Sequence, residues 1–139
     1  MQRKISFIVF NITGLSTLIL VAYSGLLTVP IQQDPTYLIV TILALHVCGV
    51  FATAYCLFFD KGVRWLRTQE EILVTLGLIG TVLGFSTALG VIDPNTATVA
   101  EQAANMASAL LYGVSIALNT TLAGAIGFAW TTINRRLVS

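Results

Sequence analysis

Long apolar stretches alternate with short polar ones along the chain, and four of them are long enough to cross a membrane as helices. An α-helix rises about 1.5 Å per residue, so about 20 apolar residues match the hydrocarbon thickness of a bilayer. The four stretches cover residues 5–29, 37–59, 72–92 and 99–133. The first is longer than the apolar region of about 7 to 15 residues in a signal peptide. The pattern therefore predicts an all-α polytopic membrane protein, with four transmembrane helices in a single transmembrane domain.

The basic residues all lie on one side of this four-helix arrangement. Two precede the first helix, three lie between the second and third, and two follow the fourth: Arg3, Lys4, Lys61, Arg64, Arg67, Arg135 and Arg136. An excess of Lys and Arg marks the cytoplasmic loops of membrane proteins. We therefore expect both termini and the middle segment, residues 60–71, in the cytoplasm. Within that segment, Trp65 and Leu66 are expected to rest at the level of the lipid headgroups.

The composition argues against a soluble domain, and the absence of catalytic motifs argues against an enzyme. Of the 139 residues, 56% are hydrophobic and 9% are charged, which is too few charges for the surface of a soluble domain of this size. The chain has no nucleophile beside a base, no carboxylate cluster, no phosphate-binding loop and no His/Cys set with metal-ligand spacing. We therefore expect no enzymatic activity, no metal site, no cofactor and no nucleic-acid partner, with the lipid bilayer as the surroundings.

Ionisable groups are missing from the middle of every apolar stretch, apart from one histidine. A self-sufficient transporter of protons or cations keeps such a group at mid-membrane, so any ion path here needs one from a partner. His46, in the second stretch, is either a proton relay, a ligand or a neutral side chain hydrogen-bonded to a neighbouring helix. Because this stretch has no acidic or second histidine partner for it, we favour the neutral, hydrogen-bonded state.

Small and hydroxylated residues recur on one face of each of the last two helices. Steps of three and four residues place side chains on one stripe of a helix. The third stretch has such a stripe in Gly77, Thr81, Gly84 and Ala88, and the last has one in Gly113, Ala117, Thr120 or Thr121, and Gly124, with Asn119 beside the threonines. In a membrane, small residues let another helix approach closely, and hydroxyls bond across the contact or line a wet path. Both a packed helix pair without conduction and an ion path fit this pattern.

The same residues resemble a known family. The segment GLIGTVLGF, residues 77–85, is similar to the G-L-x-G-T-x-x-G signature in the penultimate helix of the MotA/TolQ/ExbB proton-channel family. The G-x-x-x-A-L-x-x-T-x-x-G spacing of TolQ and ExbB is matched in the last helix by Gly113, Ala117, Leu118, Thr121 and Gly124. These matches cover only the second half of the chain, and they occur in the expected order.

The resemblance implies a motor or channel subunit in the bacterial inner membrane. Family members form a homopentamer around a single-span partner of the ExbD/TolR/MotB type, which carries a membrane aspartate, and couple H⁺ or Na⁺ flow to movement of that partner. Carried over by position, the ion path would include Thr81 and Thr121. The other positions at the pore or at helix contacts would be Gly77, Gly80, Gly84, Ala88, Gly113, Ala117, Asn119, Thr120 and Gly124. A single chain satisfies only some contacts of two small-residue stripes, which also favours a homo-oligomer.

Two features depart from the family pattern. A glutamate of the last helix in TolQ and ExbB falls at Ile116 here, and the cytoplasmic domain between spans is reduced to residues 60–71. Two other functions stay open. One is a non-conducting membrane scaffold or assembly protein, which would use the small-residue stripes for packing alone. The other is a small four-span exporter, although such exporters commonly need an acidic residue inside the membrane.

Overall fold

Four helices make up nearly all of the part of the chain that the computed structural model describes, residues 2–24, 37–59, 62–90 and 100–138. They are α1 (Gln2–Tyr23), α2 (Leu38–Phe58), α3 (Trp65–Leu89) and α4 (Ala100–Val138). Each is long and apolar enough to cross a membrane, and the described residues contain no strand. The predicted all-α class with four membrane-spanning helices is confirmed. The side of the membrane on which the termini lie stays a prediction.

The tightest contact in the fold joins α3 and α4, which run antiparallel. Leu73, near the start of α3, contacts Gly124 and Gly127 in the second half of α4. Ala88, at the other end of α3, contacts Gly113 in the first half of α4. Because glycine has no side chain beyond a hydrogen, the two backbones approach closely along this whole length.

The other two helices pack more loosely around this pair. On α1 only Phe7 and Asn11 are buried, as expected of a helix whose remaining surface faces lipid. Trp130 of α4 covers Gly14 of α1 and also contacts α2. On its other side α2 meets α3, where Gly49 lies under the side chain of Gln69.

Helix boundaries differ from the predicted spans at three ends: α1 begins at Gln2 rather than at residue 5, α3 begins before residue 72, and α4 ends at Val138 rather than at residue 133. The third helix begins at Trp65, and Leu66 packs inside the protein rather than against lipid headgroups. The depth of this segment in the membrane stays a prediction. The predicted end of the first span, residue 29, lies outside the described residues. At 39 residues and 1.5 Å per residue, α4 is about 58 Å long, so it must tilt or extend beyond the hydrocarbon region.

Candidate functional site

The two small-residue stripes predicted from the sequence lie against each other. A Cβ atom added at Gly84 would stand 2.7 Å from the backbone nitrogen of Ala117 and 2.8 Å from the carbonyl oxygen of Gly113. One added at Gly124 would stand 3.0 Å from the Cα atom of Gly77. We call this contact the α3–α4 seam. It consists of Gly77, Gly80, Gly84, Ala88, Gly113, Ala117, Thr120 and Gly124, all of them buried.

The seam therefore closes within one chain. Both stripes find their partners on the neighbouring helix of the same molecule, so the small residues by themselves do not require a second copy. The expectation of a homo-oligomer loses this part of its support and rests on the family resemblance. The same closure explains why these residues are small, since membrane helices approach closely only where small residues meet.

Thr81 and Thr121 lie beside the seam, and their hydroxyl groups are hydrogen-bonded to each other. The Thr81 hydroxyl also lies 3.0 Å from the carbonyl oxygen of Gly77, and the Thr121 hydroxyl 2.9 Å from that of Ala117. A hydroxyl has a single hydrogen to donate. One of the two threonines therefore donates to a carbonyl oxygen of its own helix, and the other donates to the hydroxyl oxygen of the first threonine. Both residues are half-buried, so part of each residue lies at the outer surface of the chain.

Thr120 has a different environment from its neighbour Thr121. It is fully buried, and its side chain fills the space beside Gly80. Its hydroxyl lies 3.0 Å from the carbonyl oxygens of Ile116 and Ala117 in its own helix. The choice between the two threonines, open at the level of the sequence, is resolved by this geometry: Thr120 packs in the seam, and Thr121 stands at its edge beside Thr81.

Asn119 lies on a different face of α4 from Thr121, away from the threonine pair. At about 100° per residue, it lies about 160° from Thr121 around α4. It lines a cavity on the opposite side of the helix, together with His46 of α2 and Trp130. Ile116, at the position of the family's glutamate, is buried among apolar side chains of the core.

A polar cluster that the sequence analysis missed ties α1 to the end of α4. The amide nitrogen of Asn11 donates to the side-chain oxygen of Asn134 at 2.7 Å, and the amide of Asn134 donates back at 3.1 Å. The indole nitrogen of Trp130 donates to the same oxygen of Asn11 at 2.9 Å. Two asparagines in otherwise apolar helices were the available signal, because amides buried in a membrane require partners.

An interhelical ion pair was missed as well. The guanidinium Nε of Arg135, on α4, lies 2.8 Å from a carboxylate oxygen of Glu70, on α3. The Glu70 side chain is only 6% exposed, whereas that of Arg135 is 42% exposed. This pair joins the first turns of α3 to the last turns of α4, beyond the end of the seam where Gly77 meets Gly124.

Because Glu70 is buried and Arg135 is partly exposed, we expect replacement of the two residues to affect stability unequally. Arg135→Met should destabilise the protein more than Glu70→Gln, because it leaves a buried carboxylate without its counter-charge, whereas a lone Arg135 can reach water. We expect a loss of about 1.5–3 kcal/mol for Arg135→Met and a clearly smaller one for Glu70→Gln. The measurement is SDS-induced unfolding in mixed micelles. As a control, Arg67→Met should cost less than about 1 kcal/mol, since the Arg67–Glu71 contact at 3.7 Å is exposed on both sides. Equal losses for the two members of the buried pair would contradict this account.

His46 lacks the hydrogen bond that was expected from the sequence. Neither ring nitrogen has a partner among the described residues, although the residue is only 6% exposed. Its ring instead packs edge-on against Trp130, with 5.1 Å between the ring centroids. The expectation that His46 is hydrogen-bonded to a neighbouring helix of its own chain is therefore wrong for the part of the chain described.

The arrangement at the edge of the seam offers two hydroxyl oxygens and two nearby backbone carbonyl oxygens, which are ligand types suited to a proton-bearing group or a small cation. It offers no charged group of its own. The motifs in which the family resemblance lies thus come together in space, at Gly77, Gly80, Thr81 and Gly84 on α3 and at Gly113, Ala117, Thr121 and Gly124 on α4. Membership of that family stays a prediction, because no protein-family model, curated protein or solved structure matches the chain.

Proposed function

We propose that this multi-pass membrane protein is a subunit of an oligomeric ion channel or motor in the bacterial inner membrane, which couples H⁺ or Na⁺ flow to movement of a single-span partner. The observation that carries the proposal is the Thr81–Thr121 hydroxyl pair. The two residues are separated by 40 positions in sequence, and the packing of α3 on α4 brings their hydroxyls into contact while leaving both side chains half-buried.

The surroundings of the pair favour a function at this place. Leu78 and Phe85 lie within about one turn of Thr81 on the same face of α3, and Leu118 lies one turn from Thr121 on α4. All three are exposed. The two threonines thus lie at the edge of an apolar outer face of the chain. A neighbouring helix that docks on this face would meet the hydroxyls away from water, where a ligand for an ion or a carboxyl group has the largest effect.

The ionisable group must come from the partner in this proposal. Among the described residues, the buried carboxylate of Glu70 is already paired with Arg135, and the threonine pair has no charge. A membrane aspartate on the partner, placed against Thr81 and Thr121, would be neutralised by a proton or a bound ion. Neutralisation lowers the free energy needed to hold this aspartate in the apolar interior, so the partner could move only after the ion has bound.

A second function is favoured by a specific observation. Both threonine hydroxyls already have acceptors within the chain, and the seam closes without a second copy. A non-conducting membrane scaffold or assembly protein would need nothing more from these residues. The two functions differ in what they predict for assembly and for ion flux.

Assembly is the first test. We expect native mass spectrometry of the detergent-purified protein to show a homo-oligomer, with five copies as the main species. Co-expression with a candidate partner, a single-span membrane protein that carries an aspartate in its span, should give a complex in which the five-fold assembly is retained. A monomer in both preparations would contradict the channel or motor proposal. The fold would be unaffected by this result, since the seam is internal to one chain.

A further inference from the structure

A groove on the outer surface of the chain runs between α2 and α3. It has a volume of about 380 Å³, and its walls include Cys48, Gly49 and Ala52 of α2 and Trp65, Thr68 and Ile72 of α3. Most of these residues are exposed, so the groove is open to the lipid that surrounds the chain. We call it the α2–α3 groove. Trp65 lies about 160° around α3 from Thr81, so the groove is not part of the site proposed above.

The surface of the groove is almost entirely apolar. Its one buried polar side chain, that of Gln69, donates its amide hydrogen to the carbonyl oxygen of Leu45 at 3.2 Å. Gln69 is only 5% exposed, so it presents little polar surface to a ligand. A groove of this kind suits a hydrocarbon chain better than a polar molecule.

The length of the groove matches one leaflet of a bilayer. On α3 it extends from Trp65, the first residue of the helix, to Ile72, which is about 10.5 Å at 1.5 Å per residue. The hydrocarbon region of a bilayer is about 30 Å thick, so one leaflet contributes about 15 Å. A lipid with its headgroup at the start of α3 would therefore have the upper part of an acyl chain in the groove.

The end of the bundle at which the groove begins carries an excess of positive charge. Its described residues include six basic and two acidic side chains: Arg3, Lys4, Arg64, Arg67, Arg135 and Arg136, with Glu70 and Glu71. Both carboxylates already contact an arginine. This is the end that the basic residues predict to be cytoplasmic, where anionic lipids give the membrane a negative surface potential.

Arg64 is the basic residue nearest to the groove in the order of the chain. It directly precedes Trp65 and lies one turn before Thr68, both of which line the groove. Arg64 is exposed, and among the described residues it forms no ion pair. Arg67 differs in both respects, since it lies about 160° around α3 from Trp65 and contacts Glu71.

We propose that the α2–α3 groove binds an acyl chain of an anionic phospholipid, with the phosphate group of the lipid at Arg64. Basic residues at the cytoplasmic ends of grooves between membrane helices are typical of sites for anionic headgroups. The apolar groove alone would accept any lipid chain, and the unpaired arginine at its mouth selects the charge of the headgroup. The site requires only the packing of α2 on α3, so it is independent of ion conduction at Thr81 and Thr121.

The test uses the fluorescence of Trp65, which lines the groove. The chain has two tryptophans, so a Trp130→Phe background isolates Trp65. The protein is reconstituted in phosphatidylcholine vesicles that contain a small fraction of phosphatidylglycerol or phosphatidylcholine brominated on its acyl chains, because bromine quenches an indole that it contacts. We expect the brominated phosphatidylglycerol to quench Trp65 with about fivefold higher relative affinity, the gain expected from one arginine near an anionic surface.

A second measurement does not depend on the Trp130 substitution. Native mass spectrometry of the unmodified chain, extracted from an equimolar mixture of the two lipids, should show the same preference for bound phosphatidylglycerol. The fold of the Trp130→Phe protein is checked by circular dichroism and by size-exclusion chromatography, because this change removes the hydrogen bond of the indole to Asn11.

Variants assign the preference to the groove. Arg64→Gln should bring the relative affinity of the two lipids close to unity. Arg67→Gln makes the same change of charge on the other side of α3, where salt screens it from the groove, and should lower the preference by less than about twofold. Ala52→Leu narrows the groove and should remove the preference although Arg64 is intact. Ala44→Leu, the same change at an exposed position of α2 outside the groove, should leave it unchanged.

Three results would overturn the proposal. Equal quenching by the two lipids would mean that the groove has no preference for an anionic headgroup. An absence of quenching by either lipid would mean that another helix covers the groove. Equal losses of preference in Arg64→Gln and Arg67→Gln would mean that the basic end attracts anionic lipids without a defined site.

Discussion

Gly84→Leu is expected to cause a large loss of stability, because it adds a side chain at a close approach of α3 and α4. The Cβ atom alone would stand 2.7–2.8 Å from a backbone nitrogen, a backbone oxygen and the Cβ of Ala117. Backbone atoms cannot rotate away as a flexible side chain can, so the two helices must separate. Overpacking of a tight core costs about 1–3 kcal/mol and occasionally more. With three further carbons to accommodate, we expect more than about 3 kcal/mol here, measured by SDS unfolding in mixed micelles.

Two further variants show whether the close approach of the helices is responsible. Gly84→Ala adds only the Cβ, and its overpacking cost of about 1–3 kcal/mol is partly offset by up to about 1 kcal/mol of helix propensity, so its loss should be clearly smaller than that of Gly84→Leu. Gly90→Leu is the matched control, because Gly90 ends the same helix with α-helical backbone angles and is exposed. Among the described residues, a Cβ there meets the carbonyl oxygens of Ser86 and Thr87, at 3.4 and 3.6 Å, so its effect should stay within about 0.5 kcal/mol. A tolerated Gly84→Leu would mean that α3 and α4 are not held at this distance.

The sequence carried enough information to predict the seam residues, but not what they contact. A spacing of three and four residues defines a stripe on a helix because the helix period is known. The stripe does not indicate which helix it contacts, because Gly77 and Gly84 could have packed against a second copy of the chain as readily as against α4. Only the antiparallel register of the two helices, in which Gly124 meets Gly77 and Ala117 meets Gly84, shows that one chain is enough.

Polar residues near the helix ends were harder to place. Glu70 lies in residues 60–71, the middle segment that the basic residues predict to be cytoplasmic. Its burial depends on Arg135, which is 65 positions away, and no local pattern reveals such a pair. The same applies to Asn11 and Asn134. A single amide in an apolar helix indicates that a partner exists, but the partner is determined by the packing of helices distant in sequence.

The threonine pair is where the channel proposal and the packing alternative disagree. Valine has nearly the shape of threonine and lacks only the hydroxyl. If Thr81 and Thr121 serve packing alone, Thr→Val should be nearly silent, since interhelical hydrogen bonds in membrane proteins average only about 0.6 kcal/mol. Thr75→Val is the matched control on α3, because the Thr75 hydroxyl is exposed and bonds only to the Glu71 carbonyl of its own helix, at 2.7 Å.

Thr81→Val and Thr121→Val are each expected to lower ion flux roughly tenfold while the assembly survives. If the hydroxyls line the ion path, their loss deprives the ion or the partner's carboxyl group of a ligand where no water can replace it. A buried polar group left unpaired costs about 1–3 kcal/mol, and about 1.4 kcal/mol on a barrier is a factor of ten in rate. Each variant is co-expressed with the single-span partner, checked for an intact complex by size, and assayed for ion flux in proteoliposomes. Thr75→Val should conduct normally, as should the seam variant Thr120→Val if its complex forms. If the Thr81→Val, Thr121→Val double variant forms an intact complex with unchanged flux, both residues serve helix packing alone, and the non-conducting scaffold is favoured.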